Sequence, residues 1–315
     1  NKLYESDLSK IVGESHFNLK NYKESLPFLV AYKGIKDKWT NEDFYQLGYA
    51  YYSEKKYDSA IDQFNKIINQ SNSLSQNAFY HLGDCYLKEE KKIEALSAFK
   101  KASEMNFNKK IKEDALLQYA KLGFEIGNPF ESYTNVLIRF LNNYPKNKYS
   151  EKIKSLLVLS YTNGGDYDSA IKILKSANPF KDEVTLQKVL YLKALELYRN
   201  GLYIDAQPFL SNSVKLDKNL IVTARSLLLN GQSQFESNSY GAAKNSFDKY
   251  FQYIRKNNLN LDINFWYEIG YSVFNLNNYD LAIQYFENNL KKEKDLSSDY
   301  LLDTYLRLAD SYFAI

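Results

Sequence analysis

A small residue recurs nine times along this chain, each time about two-thirds of the way through an aromatic-rich segment of helical spacing. The positions are Gly13, Gly48, Gly83, Ala120, Val158, Ala194, Gly231, Gly270 and Ala309. Eight of the nine are followed twelve residues later by a second small residue, at Ser25, Ala60, Ala95, Ser132, Ala170, Ala206, Ala243 and Ala282. Successive copies lie 35–39 residues apart. A period of this size marks a quasi-one-dimensional array, in which no unit buries its apolar face alone and each does so against its neighbours. The period therefore predicts an all-α chain of helix-turn-helix units, in place of the two or three ordinary domains that 315 residues would otherwise allow.

The clearest copy carries Phe44, Leu47, Gly48 and Tyr51 in its first helix, then Tyr57, Ala60, Ile61, Phe64 and Ile67 in its second. Spacings of three and four put each set on one helical face, and Gly48 and Ala60 are small where two helices cross closely. Turns such as Asn163-Gly164-Gly165-Asp166, Asn200-Gly201 and Asn277-Asn278 separate the helices of a pair. This pattern resembles the tetratricopeptide repeat (TPR) almost residue for residue, and eight consecutive copies extend the resemblance over nearly the whole chain. It implies a right-handed superhelical α-solenoid of about eight units plus a final unpaired helix. The units fall near 6–40, 41–75, 76–112, 113–150, 151–186, 187–223, 224–262 and 263–301, with a half unit at 302–315. Two copies depart from the pattern. The first has His16 at an aromatic place and Pro27 early in its second helix; the fourth has Gly123 at an aromatic place and Gly127-Asn128-Pro129 in its turn. That turn either bends the array or is a local irregularity without functional meaning. The chain begins at Asn1, and Tyr305, Leu308, Ala309 and Tyr312 repeat the first-helix pattern with no second helix after them, so the chain is expected to be a fragment of a longer protein.

In this family the first helices line a concave groove with the second, fifth, ninth, twelfth and thirteenth places of each unit. Applied here, that gives Tyr45, Tyr49 and Tyr52 in the second unit, Tyr80, Asp84 and Leu87 in the third, and Leu117, Lys121 and Phe124 in the fourth. In later units it gives Tyr191, Leu195, Tyr198 and Arg199, then Leu228, Gln232 and Phe235, then Tyr267, Tyr271 and Phe274. Aromatic rings with a polar tip suit a groove that holds an extended or helical protein segment. In this family Tyr at the fifth and twelfth places is common for packing alone, so Tyr45, Tyr52 and Tyr267 say little about binding by themselves, whereas Tyr49 and Tyr271 stand at the ninth place, where the family usually has a polar Asn. The chaperone-binding members of the family hold a C-terminal carboxylate with Lys and Asn in register. No unit supplies that pair, and Lys121 and Arg199 are isolated cations.

The sequence carries no Walker loop, no Gly-rich dinucleotide turn, no HExxH and no GxSxG. One cysteine, Cys85, and two histidines, His16 and His81, leave no set of transition-metal ligands. Carboxylate pairs such as Glu89-Glu90 and Asp182-Glu183 lie in polar turns, and His81 reads as a surface or groove residue. The chain is read as non-enzymatic, with no cofactor and no metal. Its 41 basic and 38 acidic residues are spread without blocks, so nucleic acid is not expected, and no stretch is apolar enough to cross a bilayer.

The function expected is a scaffold that binds protein or peptide partners. The linker from Asn143 to Glu151, with Tyr144-Pro145, Tyr149 and Ser150, resembles the connectors of bacterial envelope proteins, including outer-membrane assembly lipoproteins and the periplasmic Tol-Pal coordinator. The bias toward Lys, Asn, Tyr and Ile suggests a low-GC genome such as those of many Bacteroidetes. Together these imply a periplasmic or envelope-associated protein, in assembly of an envelope or secretion complex, with the cytoplasm as the alternative. Two other functions stay open: a single-stranded-RNA-binding helical repeat, which would need a basic groove, and a substrate-docking region of an enzyme whose catalytic domain lies outside this chain.

Overall fold

This computed structural model describes residues 2–35, 38–176, 182–262, 264–292 and 299–315. Among them the chain is all-helical, an α-solenoid type of fold made of helix-turn-helix pairs, and by its contacts it divides into two compact units, Asn1–Ser160 and Tyr161–Ile315. Unit 1 holds α1 (Lys2–Asn18), α2 (Tyr22–Ala31), α3 (Asn41–Ser53), α4 (Tyr57–Phe64), α5 (Ser73–Lys88), α6 (Lys92–Glu104), α7 (Lys109–Ile126), α8 (Tyr133–Asn143) and most of α9 (Ser150–Asn163). Unit 2 holds α10 (Tyr167–Lys175), α11 (Glu183–Arg199), α12 (Tyr203–Leu216), α13 (Leu220–Glu236), α14 (Tyr240–Lys256), α15 (Phe265–Phe274), α16 (Tyr279–Lys292) and α17 (Asp299–Ala314). The repeat boundary expected at residue 263 lies outside the described residues.

Odd-numbered helices are the first of each pair. In unit 1, α2, α4 and α6 each pack on their own first helix and on the next one, and the first helices α1, α3, α5 and α7 touch in succession. Unit 2 repeats this with α12, α14 and α16 as second helices against the row α11, α13, α15 and α17. At the five glycine-bearing crossings the residue that fills the gap lies sixteen positions after the glycine. A Cβ placed on Gly48 would stand 2.9 Å from the Phe64 ring, one on Gly83 2.6 Å from Phe99, one on Gly231 2.6 Å from Phe247, and one on Gly270 2.8 Å from Phe286. On Gly13 it would meet Leu29 at 2.9 Å. Where the small residue is larger, as at Ala120 and Ala194, the residue sixteen positions on is the non-aromatic Val136 or Leu210. All seven of these later residues are at most 4% exposed. Ring and gap are thus matched in volume, the condition for native packing density.

Each first helix from α1 to α15 is followed by a tight reversal in which the seventh residue after the small one has positive φ: Lys20, Lys55, Glu90, Gly127, Gly165, Gly201, Asn238 and Asn277. This conformation favours Gly and Asn, which explains why the polar turns are so regular in the sequence. In the fourth pair the turn is longer, running from Gly127 to Ser132. It is held by Asn128, whose amide donates to the Tyr119 hydroxyl at 2.9 Å, and by Glu131, which receives two 2.9 Å hydrogen bonds from the Arg139 guanidinium.

Buried polar side chains near the start of first helices tie down the linkers. Gln76 is fully buried; its amide donates to the carbonyls of Ala102 and Met105, and its Oε1 accepts from the Asn108 amide at 2.7 Å. Gln187 does the same in unit 2, accepting from the amides of Lys218 and Asn219. The Tyr144–Ser150 linker is closed by Ser150 Oγ donating to the Tyr144 carbonyl at 2.8 Å and Asn147 donating to Glu113 at 2.6 Å.

If volume matching at the crossing holds each pair together, Gly83→Ala should lower stability by about 1–3 kcal/mol through overpacking against Phe99. Phe99→Leu added to it should recover part of that loss, although Phe99→Leu alone destabilises. Denaturant melting of the four chains in a double-mutant cycle gives the coupling; strictly additive losses would contradict the crossing described here.

Candidate functional site: the first-helix surfaces

In unit 1, α3 presents Tyr45, Tyr49 and Tyr52, α5 presents Tyr80 and Asp84, and α7 presents Lys121, all half-buried. Their rings are in contact. Tyr49 meets Tyr22 edge-on at 5.2 Å and Phe17 at 5.8 Å, and Tyr45 lies 6.1 Å from Tyr49. Tyr80 packs edge-on against Phe99 at 5.9 Å. The Tyr52 hydroxyl donates to Asp84 Oδ2 at 2.8 Å. Burial first, then this bond to Asp84, raises the Tyr52 pKa, so the group is a neutral donor at any physiological pH. Lys121 lies 4.4 Å from the centre of the Tyr149 ring, and burial followed by repulsion from Lys152 lowers its pKa.

In unit 2, α11 supplies Tyr191 and Tyr198, α13 Gln232 and Phe235, and α15 Tyr267, Tyr271 and Phe274, again all half-buried. Phe235 meets Tyr271 edge-on at 5.4 Å, Tyr198 meets Tyr203 at 5.2 Å, and Tyr267 meets Tyr300 at 5.0 Å. The Tyr267 hydroxyl donates to Asp303 Oδ2 at 2.9 Å. Burial raises the Tyr191 pKa; it does the same at Tyr198, where Glu236 and then Glu268 add to the shift. Tyr49 and Tyr271, the two ninth-place tyrosines, are each enclosed by several rings, so they build these surfaces as well as lining them.

The geometry also brings in residues two positions before the small residue, the sixth place of each unit, which the five groove places leave out. His81 sits 5.0 Å from Tyr49 and 5.1 Å from Tyr52. It stacks on Phe64 at 5.8 Å, and its Nδ1 is buried without a hydrogen-bond partner. Burial, only partly opposed by Asp84, pushes its pKa down to about 4. At the same place in α17, Arg307 lies 5.8 Å from the centre of the Tyr271 ring and 5.7 Å from that of Phe274, with its Nε 3.3 Å from Asp303. In α15 that place is Glu268, whose Oε1 accepts from the Gln232 amide at 2.9 Å. The sequence signal was present: three charged or titratable side chains at one repeat position, each facing rings or polar groups of the preceding first helix.

Chemically these surfaces offer aromatic faces, neutral hydroxyls already paired with carboxylates, and carboxylates at the edges. Among the described residues no group of His, Cys, Asp and Glu could hold a metal ion, and no helix is long and apolar enough to cross a membrane. Cys85 is buried, and burial first, then Asp84 and Glu89, push its thiol up to about 12, so it is not a nucleophile.

Comparison with known proteins agrees with the repeat pattern. Residues 263–288 match the family model described as tetratricopeptide repeat, and residues 28–102 match the one described as anaphase-promoting complex, cyclosome, subunit 3. No curated protein matches the chain. Among solved structures, Naa15/Naa10 bound to HypK-THB is similar at 14% identity and a TM-score of 0.53, covering 98% of this chain and 50% of that one. The TPR2AB domain of yeast Sti1 in complex with pHSP90 is similar at 14% identity and a TM-score of 0.42, covering 80% of this chain and 92% of that one. The C-terminal part of a TPR repeat-containing protein from Cytophaga hutchinsonii is similar at 16% identity and a TM-score of 0.44, with 82% and 98% covered. The family-model matches support a TPR repeat protein, and the likeness to Naa15/Naa10 supports the helical-repeat fold alone.

The lowered pKa of His81 gives a pH dependence of known sign. The unfolded chain takes up a proton near the ordinary value of 6.5 and the folded chain only near 4. The stability contributed by neutral His81 is therefore present above pH 6.5 and is lost as pH falls from there toward 4. Relative to pH 7.5, the native chain should lose on the order of 2 kcal/mol more at pH 4.5 than His81→Phe does. Equal losses in denaturant melts at the two pH values would show that the imidazole is not shielded.

Proposed function

We propose that this chain is a non-enzymatic scaffold that holds an extended or helical protein segment against the first-helix surface of its repeats. The observation that carries the reading is the row of half-buried tyrosine and phenylalanine rings on successive first helices, above all Phe235, Tyr267, Tyr271 and Phe274 in unit 2. Such rings bury large area at low rotamer cost while keeping a polar edge for hydrogen bonds. The carboxylates beside them, Asp84 in unit 1 and Asp303 in unit 2, disfavour a phosphate backbone and so weigh against single-stranded RNA. The envelope setting is the finer part of the proposal. It rests on the likeness of the Tyr144-Pro145 linker to envelope connectors and on the Lys, Asn, Tyr and Ile bias, and it places the chain in assembly of a bacterial envelope or secretion complex.

Random-peptide display on the immobilised chain tests the binding reading. Sequences should be enriched whose retention is lost in Tyr198→Ala and Tyr267→Ala variants of native helicity, with losses of about tenfold or more in affinity, as for central aromatic contacts elsewhere. Enrichment indifferent to both changes would move binding to the second helices, and salt-sensitive retention of single-stranded RNA instead would replace the reading.

A further inference from the structure

The first-helix surface of unit 2 has a chemical bias that its aromatic content does not reveal. Glu268 is only 9% exposed, and one of its two carboxyl oxygens is satisfied, Oε1 by the Gln232 amide at 2.9 Å. The other, Oε2, is buried with no hydrogen-bond partner. A buried carboxyl oxygen left unpaired costs stability and is kept only where something offsets it. The charged groups that act on Glu268 are acidic, while the cations Arg225 and Arg199 act on Tyr191 elsewhere on the surface. Glu236 follows Gln232 by one turn on α13, Asp262 lies before α15, and the hydroxyls of Tyr198 on α11 and Tyr250 on α14 are close enough to feel the Glu268 charge. The one cation that faces this surface from α17, Arg307, is already engaged by Asp303 and Asp310. The full chain carries a net charge of +3, so this acidity is local and not a property of the whole protein.

The chain also shows what such a surface accepts. Arg307 rests over the rings of Tyr271 and Phe274 while its Nε reaches Asp303, a guanidinium held by ring faces and a carboxylate together.

Resting on the reading that this surface holds a protein segment, we propose that the segment recognised by unit 2 is a basic one, whose lysine or arginine side chain pairs with Glu268 Oε2 between Tyr198, Phe235 and Tyr271. The pairing completes the hydrogen bonding of Glu268, and the alkyl stem of the incoming side chain lies along the rings. It also changes the protonation of the site. In the free protein, burial, with Asp262 and Glu236 adding to it and the Gln232 amide opposing it, pushes the Glu268 carboxyl up to about 8. At pH 7 only about one-tenth is ionised, so docking of a cation releases a proton and grows tighter as pH rises toward 8.

The test uses the whole 315-residue chain and two labelled peptides of equal length, one alternating lysine with leucine and one alternating glutamate with leucine, read by fluorescence anisotropy. The lysine peptide should bind at least about tenfold tighter than the glutamate peptide, and Glu268→Gln, which keeps shape and the bond to Gln232, should weaken it about tenfold. Between pH 6.5 and 8.5 the affinity of the native chain should rise severalfold while that of Glu268→Gln stays flat. Glu236→Gln, at an exposed residue, should give a smaller loss and keep the rise with pH, moved slightly toward lower pH because one charge that raises the Glu268 pKa is gone. Equal binding of the two peptides, no binding of either, indifference to Glu268→Gln, or spermidine binding as tightly as the peptide would each overturn the proposal. If displayed peptides still depend on Tyr198 and Tyr267 but show no lysine or arginine enrichment, the segment-binding function stands and the basic-segment inference alone fails.

Discussion

A second helix can lie close on its first helix only where a side chain has been removed to admit it, and in this chain the removal and the filling are coupled at a separation of sixteen residues. Glycine faces a phenylalanine ring at Gly48 and Phe64, Gly83 and Phe99, Gly231 and Phe247, and Gly270 and Phe286. This contact sets the depth at which the two helices cross, and hence where the rest of the first helix points. With the small residue and its i−1 and i+3 neighbours turned inward, the sixth, ninth and twelfth places are left on the face shared with the neighbouring first helix. The surfaces bearing Tyr49, Tyr52 and His81 in unit 1, and Tyr271, Phe274 and Arg307 in unit 2, are consequences of that crossing.

The same repetition lets one position take different chemical roles without disturbing the fold. At the sixth place the chain has an imidazole in α5, a carboxyl in α15 and a guanidinium in α17. Each is placed by its own helix against the preceding one, and each responds to the low dielectric in its own direction: His81 stays neutral because its pKa falls, and Glu268 is held largely protonated because its pKa rises. Arg307 keeps its charge and finds carboxylates. In such an array the places that face the neighbouring first helix are free to vary in chemistry, while the crossing residues carry the architecture.

The fold was legible in the sequence because a small residue at a fixed period has few physical explanations, and because most of the turns after it carry the Gly or Asn that a positive φ favours, at Gly127, Gly165, Gly201, Asn238 and Asn277, although Lys20, Lys55 and Glu90 take the same conformation. What filled the gap was less visible. Reading Gly48 and Ala60 as the crossing pair was natural from their size, whereas the ring that enters the space beside Gly48 is Phe64, one turn beyond Ala60. The candidate surface was legible residue by residue but not in its contacts: of the nineteen residues taken from the groove places seventeen are half-buried, Leu117 is buried and Arg199 is exposed, and the structure adds that Tyr52 is bonded to Asp84 and Tyr267 to Asp303. His81 was expected at the surface or in the groove and is packed among five rings. Glu268 was missed because no list of groove places contains the sixth, and because its unpaired oxygen is a three-dimensional fact.

The central claim, that partners are held on the first-helix surface, is tested most directly by site-specific photo-crosslinking in cells of the source organism. A benzophenone side chain would be placed at Tyr198, on the first helix α11, or at Ile204, a 70% exposed residue on the second helix α12. The account predicts a discrete protein adduct from position 198 and none from position 204; an adduct from position 204 alone would contradict it.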